Sequence, residues 1–287
     1  MAVVIVTDSS ARLSPEVLQQ FDIRVAALHV LHDGIDLLDG VDLIPDDIQD
    51  RSHVSTAGAA PAELADLYRQ ALADSNGDGV VAVHLSAALS STFSSAMTAA
   101  RELGPDVRVV NSRSAAMGVG YVTLAAARAA ADGADLDTVE AQARSAVGEQ
   151  HAFIAVHRLD NLRRSGRIGT AASWLGTALS LKPLLRLDAD GRLVLDQRVR
   201  TVAKAHAAMI DRVVAAVGGR PAVLTVHHVN NRDGADELVA VLKSVLPRID
   251  SLVVTDMGPV LGVHVGSGAI GVVVHAPHEL LSRGSGR

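Results

Sequence analysis

His84-Leu85-Ser86-Ala87-Ala88-Leu89-Ser90-Ser91-Thr92-Phe93-Ser94-Ser95-Ala96 is a polar joint between two apolar patterns. Before it, Gly79-Val80-Val81-Ala82-Val83 is a short β-branched run, which predicts a buried strand. After it, Phe93, Met97, Ala100 and Leu103 recur at helical spacing, and Gly104-Pro105 closes the helix. Hydroxyl side chains therefore crowd the point where a strand ends and a helix begins. Free N–H groups and the helix dipole favour an anion there. Serine is also a favoured N-cap, so Ser90 and Ser91 fit a capping role as well as a donor role.

Working back from this joint, Val3 to Val6 reads as a strand ending in Thr7-Asp8-Ser9-Ser10. Ser14-Pro15-Glu16 starts a helix, with Ser14 as N-cap. Residues 23–31 read as a second strand, and 32–50 as an acidic loop in which Pro45-Asp46-Asp47 opens a short helix. Ser55 to Pro61 is a small-residue loop feeding a helix from Pro61 to about Ala73. Forward of the joint, Val107 to Val110 is a strand ending in Asn111-Ser112-Arg113-Ser114. An alanine-rich helix to Ala131 and a helix from Leu136 to Val147 follow. Strands alternating with helices predict a mostly parallel α/β/α sheet with sites at the carboxyl ends of its strands.

The second half has another rhythm. Ala152 to Val156 is a strand, Leu159 to Ser165 a short basic helix, and Thr170 to Leu181 an apolar stretch expected to be helical. Two short strands flank Ala189-Asp190-Gly191, a hairpin signal. A helix over about 201–217, strand 221–226, helix 233–245 and strands 251–255 and 270–274 complete the pattern. A hairpin inside such a series predicts a mixed or antiparallel sheet with helices on one face. The expected fold is α/β in two domains, residues 1–150 and 151–287.

Hydrophobic residues make up 48% and charged residues 20%, which argues against disorder. There is no cysteine, so disulfides and thiolate chemistry are excluded and a reducing cytoplasm is expected. The net charge of −6 predicts no attraction to nucleic acid. Asp8 arrives too early for a signal peptide, and no apolar run is long enough to span a bilayer. Residues 282–287 read as a disordered tail.

Most catalytic templates fail. The chain holds no Gly-x-Ser-x-Gly elbow, Walker A loop or His-Glu-x-x-His. Gly266-Ser267-Gly268-Ala269-Ile270-Gly271 spells a dinucleotide fingerprint, but a strand follows it instead of a helix. Asp188-x-Asp190-Gly191 fits a hairpin turn better than a calcium loop, and His227-His228 lacks further metal ligands. No cofactor is expected.

Taken together, the polar strand ends resemble the DegV family of bacterial fatty-acid-binding proteins over almost the whole chain. Thr7-Asp8-Ser9-Ser10 matches the opening strand end. Thr56-Ala57-Gly58-Ala59-Ala60-Pro61 falls where the family has Thr-Ser-Gln-Pro-Ser-Pro, with Tyr68 in register behind it. Leu89 to Ala96 is similar to Leu-Ser-Gly-Thr-Tyr-x-Ser-Ala. Asn111-Ser112-x-Ser114 and Met117-Gly118-x-Gly120 resemble Asp-Ser-x-Ser and Met-Gly-x-Gly. Leu162 to Ile168 resembles Leu-Lys-Lys-Gly-Gly-Arg-Ile, Lys182-Pro183-Leu184-Leu185 resembles Lys-Pro-Ile-Leu, and Gly258 to Ala269 is similar to a late family loop. Ser91 replaces a glycine, Asn111 an aspartate, and the Gln-Pro pair after Thr56 is absent.

The resemblance implies a carrier that buries one long-chain fatty acid in residues 1–150, with its carboxylate near the domain junction. It also implies a separate fatty acid kinase that phosphorylates the carboxylate. The expected fatty-acid-binding residues are Thr56, Ser90, Ser91, Thr92, His264, Ser9, Asn111 and Arg167. Expected to meet the kinase are Arg163, Arg164, Arg198, Arg200 and Lys204, although such arginines also fit a solvated helix face. The rival reading is a serine hydrolase or phosphotransferase using Ser90 with His264.

Overall fold

The computed structural model describes residues 2–168 and 181–276. The helix expected over residues 170–181 lies outside these apart from Leu181, as does the tail expected at 282–287.

The first strand, β1 (Val4–Asp8), runs into a 3-10 turn at Ser9–Ala11. Ser14 caps α1 (Pro15–Gln20) by accepting from the Val17 N–H. β2 (Arg24–Ala26), β3 (His29–His32) and β4 (Ile35–Leu38) follow. A 3-10 turn at Ile48–Asp50 leads to β5 (Val54–Ala57). The single strand expected over 23–31 is thus two strands in different sheets. At the switch, Ser9 Oγ accepts from the Leu28 N–H at 3.1 Å. The loop expected over 32–50 holds β4, because Asp33 and Gly34 turn the chain with φ of 49° and 79°.

Next come α2 (Pro61–Ser75), β6 (Val80–His84), α3 (Thr92–Leu103), β7 (Val107–Asn111), α4 (Met117–Ala131) and α5 (Leu136–Val147). These boundaries lie close to the periodicity. β2-β1-β6-β7 form a parallel sheet, and β4-β3-β5 form a small antiparallel one.

The second half opens with β8 (Gln150–Ala155), α6 (Asp160–Arg164), β9 (Leu184–Leu187), β10 (Leu193–Gln197) and α7 (Val202–Val217). β11 (Ala222–His228), α8 (Arg232–Val245), β12 (Ile249–Asp256), α9 (Pro259–Val265) and β13 (Ile270–His275) complete it. The sheet order is β10-β9-β8-β13-β11-β12, and only β11 and β12 are parallel neighbours. The mixed sheet expected for this half is therefore present.

Side-chain alternation along β11 divides its work. Leu224 and Val226 face Met209 and Val213 of α7 and Leu238 and Leu242 of α8 in one core. Thr225 faces the other way and shares a hydrogen bond of 2.7 Å with Tyr121 of α4. Tyr121 and Leu124 pack on Val273 of β13, so the first half covers the sheet's second face. The sequence reading missed α9, which carries Val260 into the core of the first half. No helix among the described residues is long and apolar enough to cross a membrane.

Candidate functional site

A buried chain of polar groups holds the strand ends. Asp8 Oδ2 pairs with His84 Nδ1 at 3.0 Å and accepts from the Leu85 N–H at 2.9 Å. His84 Nε2 meets the Tyr68 hydroxyl at 2.6 Å. All three side chains are buried, so β1, β6 and α2 are locked where the joint leaves β6. Ser90 Oγ then accepts from the Thr92 N–H, the first of α3, at 3.2 Å, while Ser91, at the N-cap, makes no side-chain capping bond.

Between the two halves lies a cavity of about 380 Å³. That is within the range of about 300–1,000 Å³ usual for small-molecule sites. Both halves of the chain wall the cavity. Leu28, Thr56, Leu85 and Ser90 stand on one side and Ala152, Ile154, His227 and Val273 on the other. Val260, Leu261 and His264 of α9 close a further wall. Among the described residues the lining is mainly aliphatic, holds no carboxylate and has a single cation, Arg167.

Polar groups gather at one part of this wall. Thr56 Oγ1 and His264 Nε2 are 2.8 Å apart, and His264 Nδ1 is enclosed without a partner. If Thr56 donates to Nε2, then Nδ1 carries a hydrogen; if Nε2 donates, the Thr56 hydrogen is released. Either way the pair presents one free hydrogen. Burial and then the Arg167 charge push the His264 pKa down to about 4, so the ring is neutral at pH 7. Arg167 is anchored by donating from Nε to Leu89 O at 3.2 Å and from Nη1 to Ser165 O at 2.5 Å.

Gly258 and Gly58 make this assembly possible. Gly258 precedes α9 with φ of 83°, and a Cβ there would stand 2.6 Å from Arg12 Nη1. A Cβ on Gly58 would stand 2.5 Å from Thr92 Oγ1, so β5 can approach Ser90 only without a side chain at this point.

The cavity thus unites Thr56, Ser90, Ser91, Arg167 and His264 of the expected set. Three others lie off its wall. Thr92 is buried with its hydroxyl 2.9 Å from Ser90 Oγ, and Ser9 serves the Leu28 N–H. Asn111 Oδ1 accepts from the Ala87 and Arg113 N–H groups. The sequence reading took His227-His228 as a packed or solvated pair and did not place His227 in the site, whereas it is buried and lines the cavity at the end of β11. Arg163 and Arg164 are exposed at the end of α6, where Arg164 donates to Asn161 Oδ1 at 2.7 Å. Arg198, Arg200 and Lys204 are exposed around the start of α7. Among the described residues no His, Asp and Glu group is arranged to hold a metal.

Residues 2–276 match a family model described as "Uncharacterised protein, DegV family". A DegV domain-containing protein of Mycobacterium tuberculosis strain H37Rv is 61% identical over 274 residues, covering 96% of this chain and 97% of the relative. The crystal structure of a DegV family protein from Corynebacterium glutamicum is 34% identical with a TM-score of 0.86, covering 97% of this chain and 99% of that one. A structure described as fatty acid binding of a DegV family protein from Thermus thermophilus is 31% identical with a TM-score of 0.88, covering 96% and 100%.

Proposed function

This chain belongs to the DegV family, and from that premise we propose that it carries one long-chain fatty acid in the cavity between its halves. The observation that supports this most is the cavity itself, aliphatic over most of its wall with Thr56, Ser90, His264 and Arg167 gathered in one part. A chain of about 16 carbons at about 0.8 kcal/mol per buried CH₂ offers on the order of 10 kcal/mol, from which ordering costs are subtracted. Its carboxylate requires donors once out of water. The parts 1–150 and 151–287 act in this reading as two domains sharing one ligand. Gentle mass spectrometry of the purified protein tests it: the expected species carries one fatty acid, and a protein that stays lipid-free after incubation with palmitate would refute it.

Thr56→Ala and Ser90→Ala are each expected to weaken fatty-acid binding by about 1.5 to 3 kcal/mol, the worth of a hydrogen bond to a charged group. Isothermal titration with folding checked by circular dichroism reads this, and wild-type affinity in both variants removes them from the site. The rival enzyme reading has less support. Ser90 Oγ is engaged by Thr92 and His264 Nε2 by Thr56, so the nucleophile and base are not joined.

In this proposal a separate kinase phosphorylates the bound carboxylate. Arg163 and Arg164, and with them Arg198, Arg200 and Lys204, all exposed, are the basic residues that meet an acidic partner in this reading. Such a surface raises the on-rate more than the final affinity. Reversing Arg163 and Arg164 to Glu should slow acyl-phosphate formation by a cognate kinase at low salt, with fatty-acid affinity retained. Equal rates for the wild type and the double variant would make these arginines a solvated face only.

A further inference from the structure

His227 lies on the cavity side of β11, opposite Gly271 of β13. Its side chain is fully buried, at 1% exposure. The Met117 N–H points at Nε2 from 3.2 Å. A backbone N–H can only donate, so Nε2 is the acceptor and Nδ1 carries the hydrogen of the neutral ring. That Nδ1–H is enclosed and has no hydrogen-bond partner. The Asp256 carbonyl stands close enough to favour the charged ring, yet it lies outside hydrogen-bonding geometry to Nδ1 and accepts from Arg12 Nε at 3.3 Å.

The cross-strand neighbour, Gly271, also lines the cavity. A Cβ on Gly271 would stand 3.3 Å from both Met257 Cε and the Phe153 carbonyl, tighter than ordinary contact. Any side chain at this position would crowd those neighbours, and both Gly271 and His227 line the cavity. A plain alkyl chain laid there would leave the donor unpaired, which is costly in a buried site. One oxygen on the chain at that depth would pair it. A second carboxylate fits poorly, because a single neutral N–H does not compensate a buried charge.

We propose that the ligands of this cavity include fatty acids bearing a hydroxyl or keto oxygen part-way along the chain, and that this oxygen accepts from His227 Nδ1–H. The inference rests on the fatty-acid reading above and adds a second polar station to it. Thr56, Ser90, His264 and Arg167 take the carboxylate, and His227 selects for an oxygen further along the chain.

The test is a titration series with stearate and with stearates hydroxylated at successive carbons. One position should bind about tenfold tighter than stearate, the effect of satisfying one buried donor. His227→Met removes both ring nitrogens, so the Nδ1 donor is gone and no side-chain donor replaces it. The ratio of the favoured hydroxystearate to stearate should fall to about one in that variant, and a ratio within one protein cancels general effects of folding. Should the variant not fold, the Nδ1–H resonance of His227 in the wild type should move with the favoured hydroxystearate and stay in place with stearate. Hydroxystearates that all bind no tighter than stearate would overturn this inference and leave the fatty-acid reading standing. A preference that survives His227→Met would overturn the role of His227. Failure of stearate itself to bind would overturn the fatty-acid reading, and this inference with it.

Discussion

Lowering the pH from 7 to 4 is expected to remove on the order of 5 kcal/mol of folding stability from the ligand-free protein, chiefly through two histidines in the cavity wall. Burial, and secondarily the Arg12 charge, holds the His227 pKa at about 3. Burial and then Arg167 hold His264 at about 4. In the unfolded chain both return to about 6.5. Between those values the unfolded state binds protons that the native state refuses, so stability rises with pH. The contribution is fully present above about 6.5 and is lost as pH falls through the window. Each ring supplies a slope of about 1.4 kcal/mol per pH unit there. His29 works in the opposite sense. Burial depresses its pKa, but Asp36 and Glu63 outweigh burial and raise it, so its contribution is present at low pH and fades as pH rises. Urea unfolding at several pH values, on delipidated protein, measures the slope. His227→Gln should reduce it by about 1.4 kcal/mol per unit. A flat profile from pH 6.5 to 4.5 would show that the rings are hydrated or charged in the native state.

The parallel half of the fold was legible because its elements obey one rule at a time. Val80, Val81, Ala82 and Val83 are all apolar because a central parallel strand is covered on both faces. Thr92–Leu103 keeps its period to the glycine that ends it. The errors fell where two signals compete. Arg24–Ala26 and His29–His32 look like one strand because nothing local announces that Ala26 pairs with β1 while His29 pairs with β4 and β5. The Asp33-Gly34 turn was a hairpin signal in plain view, outweighed by the acidic character of the loop around it. α9 was hidden by composition. Val260, Val263 and Val265 are β-branched and Gly262 is flexible, so helix propensity is poor, and packing of Val260 into the first core decides the matter. Pro259 directly after Gly258 was the surviving sign of a helix start. The error bears on the site, because α9 delivers His264 to Thr56. Thr92 and Asn111 illustrate the converse: a polar residue at a strand end is as often used by neighbouring backbone and hydroxyl groups as by a ligand, and sequence does not separate the two.

Arg167→Met should weaken binding of a long-chain fatty acid by about 2 to 3 kcal/mol, roughly thirty- to a hundred-and-fiftyfold in Kd. Arg167 is the single cation on the cavity wall among the described residues, and two backbone carbonyls fix its guanidinium. Those two bonds do not exhaust five N–H donors, so the group can still pair with a carboxylate. The side chain is half-buried, which keeps the effect below that of breaking a fully enclosed ion pair. Methionine retains the length and apolar packing of the stem, so a loss arises from the charge. Lysine should fall between, since it restores a point charge without the planar fork that holds both anchors. A methyl ester of the same fatty acid supplies the control. It has the same tail and no charge, so its affinity should be nearly equal in wild type and Arg167→Met. A second readout is independent of ligand. With the arginine gone, the His264 pKa should move up from about 4 toward its ordinary value, because one of the two causes that depress it has been removed. Wild-type palmitate affinity in Arg167→Met, with His264 titrating unchanged, would place the guanidinium too far from the carboxylate to take part.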